Sequence, residues 1–152
     1  MITKEQWNEV ETKLKQNYGY AHFRYQGTVI TAYREFVKEG KSEIIIYFNN
    51  YCRMSWGSKV LENYNPLTAL FWSKRTRALH SAKEIKQIEK NFGKRGAKQY
   101  FPRLHERLEY LLPMFSKSTV LVRQFSKIEG LELIPSNEAV IFPESWGGAN
   151  DD

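Results

Sequence analysis

A chain of 152 residues with 41% hydrophobic and 14% aromatic residues is long and apolar enough to pack one ordinary domain, which excludes a disordered chain. A single cysteine, Cys52, excludes an internal disulfide and any multi-cysteine zinc site, and the longest apolar run, "IIIYF" at 44–48, is far too short to span a bilayer. The net charge of +6 is regional: from Lys74 to Arg107 eleven Lys and Arg face only Glu84, Glu89 and Glu106, an excess of +8, while the rest sums to −2.

In chain order, "TKEQWNEVETKL" opens with Thr3 and places Gln6 three residues on, the spacing of a capping box. Trp7, Val10 and Leu14 follow at helical intervals, predicting an amphipathic helix over about 4–16 that ends before Gly19. Four segments of strand character come next: "YAHFRYQ" (20–26), "TVITAYREF" (28–36), "SEIIIYFN" (42–49) and "YCRMSW" (51–56). Gly27, "KEGK" and "NN" separate them as turns, which predicts a four-stranded antiparallel meander closed by Gly57.

At "NYNPL" the character changes, and Pro66 and Ser73 mark a connector. "SAKE" (81–84) repeats the capping-box spacing and Gly93 suits a C-terminal cap, predicting a helix over about 82–92. "PRLHERLEYLL" reads as a helix with Pro102 in its first turn, Leu104, Leu108, Leu111 and Leu112 on one side, and Pro113 as its stop. A last helix is expected from Ser116 as N-cap to a stop before Gly130, and "LELI" as a returning strand. The expected architecture is therefore α+β. One domain covers 1–134, with the sheet at about 20–56 and a basic helical part at about 66–130, and a loosely docked or flexible tail follows at 135–152.

Residues suited to catalysis do not converge. The only aspartates, Asp151 and Asp152, lie in that tail, and among the glutamates only Glu35 and Glu39 flank one loop. His22, His80 and His105 fall on different predicted elements without metal-ligand spacing. Cys52 alternates with Met54 and Trp56, the pattern of a packed thiol. "FGKRGAK" shares glycines and a lysine with phosphate-binding loops, but at the wrong spacing. The expectation is a protein without catalytic residues, metal or cofactor.

The basic stretch has an internal geometry. Each helical residue advances about 100°, so Lys83, Lys86, Lys90 and, if the last turn persists, Lys94 fall in one arc with Gln87, opposite Ile85, Ile88 and Phe92. Beyond it, "KNFGKRGAKQYFPR" (90–103) adds Arg95, Lys98 and Arg103, with Gly93 and Gly96 able to turn backbone N–H groups outward around a phosphate. Tyr100 and Phe101 supply a stacking surface for unpaired bases, and Lys74, Arg75 and Arg77 extend the excess upstream. The alternative is a solvated face. Such faces usually mix signs, whereas this arc contains no acid.

A second candidate surface lies on the sheet, where Tyr20, His22 and Arg24 share one face of the first strand and Tyr51 and Arg53 one face of the fourth. Aromatic and basic residues on an open sheet face can clamp single-stranded RNA, although cross-strand aromatic packing is the favoured explanation of the pattern.

"TKEQWNEVETKL", "IIIYFNNYCRMSW", "LFWSKRTRALHSAKEIKQIEKNFGKRG" and "KIEGLELI", taken in this order, resemble a family of small uncharacterised proteins encoded by phages and prophages of proteobacteria. The chain departs from that family's pattern in its longer tail and in "LHERLEYLL". The resemblance transfers no residue role; it implies context, because small phage accessory proteins often work by binding host complexes or nucleic acid. The expected function is a non-enzymatic, phage-encoded protein in the bacterial cytoplasm. Its basic surface would bind nucleic acid, DNA or RNA, or a host nucleoprotein complex, as an inhibitor of a host defence system of the anti-CRISPR type. One rival is a module that docks on a host protein without nucleic-acid contact. The other is an enzyme whose site the sequence does not display.

Overall fold

The computed structural model describes residues 1–141. Helix α1 (Lys4–Leu14) starts at the predicted capping box: the Gln6 amide donates to Thr3 Oγ1 at 3.1 Å, and the Thr3 amide donates to Gln6 Oε1 at 2.8 Å. Its Val10 and Leu14 are buried and Trp7 is half-buried, as the helical spacing requires. Gly19 then turns the chain back on the helix so tightly that a Cβ there would sit 1.9 Å from the Lys13 carbonyl oxygen.

Strands β1 (Tyr20–Tyr25), β2 (Thr28–Lys38) and β3 (Lys41–Phe48) form the antiparallel meander that alternation predicts. Gln26 and Gly27, both at positive φ, make the two-residue turn whose twist suits a hairpin. Ala21 and Phe23, Ile30 and Ala32, and Ile44, Ile46 and Phe48 are buried in one core cluster with Val10 and Leu14 of α1. The short helix α2 (Thr68–Phe71) adds Phe71 to this cluster.

The fourth strand of the meander does not form. Asn49 and Asn50 make a tight turn with positive φ, and Tyr51 bridges to Phe48, but the chain then leaves the sheet and winds a 3₁₀ turn over Met54–Gly57. That turn stacks Trp56 on Phe48 with 5.8 Å between ring centroids, so the core gains a large aromatic where a strand was expected. The vacated edge of β3 is taken by β6 (Met114–Phe115), through Ile44 opposite Phe115 and Ile45 opposite Met114. At the other edge, β7 (Glu132–Ile134) pairs with β1 within the predicted "LELI". Among the described residues the sheet thus has five strands, in the order β6-β3-β2-β1-β7.

Helix α4 (Ser118–Phe125) contributes Leu121 and Phe125 to the core. It begins after Lys117 without a side-chain cap; the expected cap, Ser116, instead hydrogen-bonds Glu43 Oε2 at 3.0 Å. It ends at Phe125, well before Gly130. Of the expected tail, Pro135–Glu138 forms a turn and Glu138 pairs with Arg24 at 3.8 Å, while 142–152 lies outside the described residues.

By its internal contacts the chain divides into two units: Met1–Ser73 together with Leu111 onward, and Lys74–Tyr110. The second holds nearly all of the two-stranded ribbon formed by β4 (Ser73–Ala78) and β5 (Arg107–Leu112), with α3 (Ala82–Tyr100) between them. The helix expected over "PRLHERLEYLL" is absent: residues 102–105 are turns and, after Glu106, Arg107–Leu112 is β5. Leu108, Tyr110 and Leu112 also recur at period two, and pairing with β4 selects that pattern over the helical one.

Candidate nucleic-acid interface

All eleven basic residues of the charged stretch lie in the unit Lys74–Tyr110, together with four Glu. Ser81 caps α3 by accepting from the Glu84 amide at 3.1 Å. The Glu84 carboxylate does not complete a capping box; it pairs with His80 Nδ1 at 3.1 Å, and that bond holds its pKa below the usual carboxylate value.

From this start α3 runs straight to Phe92, and Lys83, Lys86, Gln87 and Lys90 line one shallow hollow with Ala82 and, among the described residues, no acidic one. Ile85 and Ile88, on the other side, are half-buried. This is the phase that the sequence predicts. Lys94 does not continue the stripe. Gly93 adopts φ 70° and ψ 164°, so the helix breaks there and restarts with a new phase through Tyr100. The restart buries Ala97 and places Lys94 and Lys98 in a different hollow, shared with Glu89, Glu106 and His105.

The remaining cations differ in how free they are. Arg103 is bound to Glu106, and Arg107 donates from Nε to Thr76 Oγ1 at 3.2 Å across the ribbon. On β4, Lys74 and Arg77 are exposed and Arg75 is half-buried. Arg95 is exposed on the restarted helix. Tyr100 is 66% exposed, and Phe92, which the helical wheel assigned to the buried side, is 49% exposed. The wheel missed Phe92 as a surface residue, although Gly93 beside it, read as a cap, already signalled that the apolar face ends there.

On the sheet, Tyr20, His22 and Arg24 do share the outer face of β1, but their side chains already make contacts within the chain. His22 Nδ1 lies 2.7 Å from Thr31 Oγ1, Arg24 pairs with Glu138, and Lys13 Nζ sits 4.1 Å from the centre of the Tyr20 ring. Burial, and then the charge of Lys13, lower the His22 pKa. Tyr51 and Arg53 are not on a strand: Tyr51 makes one bridge and Arg53 precedes the 3₁₀ turn, so the two-strand clamp is not assembled.

Cys52 is half-buried, and its thiol is pushed up to about 11 by burial and by Glu35. Among the described residues no three His, Cys, Asp or Glu side chains come together as a metal site, and no helix is long and apolar enough to cross a membrane. Comparison of the chain with family models, curated proteins and solved structures gives no match.

Proposed function

We propose that the unit Lys74–Tyr110 is a polyanion-binding surface that docks nucleic acid, or the nucleic-acid part of a host nucleoprotein complex. The observation that carries this reading is the hollow of Lys83, Lys86, Gln87 and Lys90 on one face of α3, which holds no acid among the described residues. Three ammonium groups on one exposed face repel each other and gain nothing for the fold, whereas phosphates neutralise them and release counterions. Lysine contacts of this kind give affinity without base readout, so the partner is recognised by charge and shape.

The protein would act by occupancy rather than catalysis. The resemblance to phage-encoded proteins supports an accessory role in an infected bacterial cell, with inhibition of a nucleic-acid-guided defence complex as its most concrete form. Titration with heparin and with labelled DNA and RNA at two salt concentrations tests the reading. Binding that weakens steeply with salt is expected, and no binding at low salt overturns it.

A specific feature favours protein docking as a second reading. Tyr18, Phe36 and Val37 are 58%, 44% and 42% exposed at the β2–β3 end of the other unit, with the rings of Tyr18 and Phe36 in contact at 5.8 Å. An exposed aromatic group of this kind is a common anchor for a protein partner.

A further inference from the structure

Large aromatic side chains are seldom left on the surface of a strongly basic segment, yet Phe92 and Tyr100 are 49% and 66% exposed on α3. They flank the Gly93 break, and the Phe92 ring meets Tyr100 at 6.0 Å and Phe101 at 5.5 Å. The approach depends on Gly96, where an added Cβ would lie only 3.2 Å from Phe92 Cβ. The Phe92 and Tyr100 planes are inclined by 50°, so neither ring covers the other's face. Lys90, Lys94, Arg95 and Lys98, all exposed, lie within two helical turns of the pair.

We propose that Phe92 and Tyr100 form a stacking platform for unpaired bases, so that this unit prefers single-stranded nucleic acid to a duplex. The inference rests on the nucleic-acid reading and sharpens it to a substrate class. Charge selects the occupant: a unit with eleven basic residues against four Glu disfavours an ordinary apolar protein partner, but matches a strand that brings phosphates with its aromatic bases. A duplex keeps its base faces stacked on each other and can offer only phosphates. An unpaired strand offers both, and each stacked base adds about five- to a hundredfold in affinity.

The test compares fluorescence anisotropy of three probes at low salt: a single-stranded oligonucleotide, an abasic strand of the same length, and heparin. The wild-type protein should bind the base-bearing strand about tenfold or more tighter than the abasic one. Phe92→Ala with Tyr100→Ala should erase that gap and leave heparin binding unchanged, whereas Phe92→Tyr with Tyr100→Phe should keep it. Tyr100→Ala alone, at the more exposed position, should narrow the gap if the double variant folds poorly. Equal wild-type affinity for the two strands overturns the platform and leaves the polyanion reading standing. A gap that survives both alanine variants places stacking elsewhere and also overturns it. Failure to bind even heparin removes the polyanion reading, and the platform with it.

Discussion

Arg34 donates from Nε to the carbonyl oxygen of Leu14 at 2.6 Å, tying the middle of β2 to the last residue of α1. The same guanidinium reaches Ser42 Oγ at 3.1 Å and the Ser116 carbonyl at 2.9 Å, so one side chain, only 8% exposed, joins three segments distant in sequence. The partners are neutral acceptors, and one of them is a carbonyl at the negative end of a helix, which no other residue of α1 satisfies from within the helix.

Replacing Arg34 should therefore cost more than an ordinary surface change. Arg34→Met is expected to lose about 3 kcal/mol in urea unfolding, because it strands buried carbonyls as well as removing charged hydrogen bonds. Arg34→Lys should recover little, since one ammonium cannot reach all three acceptors. A loss below about 1 kcal/mol for Arg34→Met would contradict the tie.

What could be read from the chain divides along the range of the interactions. Thr3 and Gln6, the alternation of Ile44, Ile46 and Phe48, and the turn at Gly27 are local signals, and each element they predict forms. The errors fall where a partner distant in sequence decides. "YCRMSW" alternates well enough for a strand, but Met114 and Phe115 claim the edge of β3 and Trp56 is drawn into the core. "PRLHERLEYLL" supports both periods, and its pairing with β4 cannot be read from either. In the candidate site, the stripe of Lys83, Lys86 and Lys90 was legible because it depends only on helical phase. Lys94 leaves the stripe because the backbone break at Gly93 resets that phase, and Phe92, still in phase, is exposed because the apolar face ends at the break.

Gly93 gives a direct test of that break. Its φ and ψ lie in a region open in practice only to glycine, and an added Cβ would meet nothing within 4 Å, so the penalty of a side chain is purely conformational. Gly93→Ala should cost about 1–3 kcal/mol locally. Amide exchange in α3 should accelerate about tenfold or more while β1–β3 keep their protection. Unchanged exchange in α3 would show that the break is not held.

Cys52, half-buried against the core cluster, reports on the surroundings of Glu35. Burial first, and Glu35 second, raise its thiol from the ordinary 9.0 to about 11, and burial with the bond to Glu35 also raises the Tyr47 hydroxyl. At pH 8 the thiolate fraction in the folded protein is then about a hundredfold below that of the unfolded chain. Iodoacetamide should accordingly label the native thiol at least that much more slowly than the urea-unfolded one, and Glu35→Gln should speed native labelling. The linkage has a definite sign. The folded state keeps a proton that the unfolded state releases, so stability is fully present below pH 9 and declines as pH rises toward 11. Equal labelling rates in the native and unfolded protein would refute the burial.

The central claim is that Lys83, Lys86 and Lys90 meet phosphates together, and the measurement that tests it most directly is the salt dependence of binding to a nucleic acid of fixed length. The slope of log affinity against log salt counts the phosphates neutralised, at about 0.7 per contact on a single strand. Changing the three lysines to Ala should flatten that slope by about 2 and weaken binding at low salt by at least tenfold, with the fold preserved, because the three side chains are exposed. A triple variant that folds and keeps the wild-type slope would contradict the account.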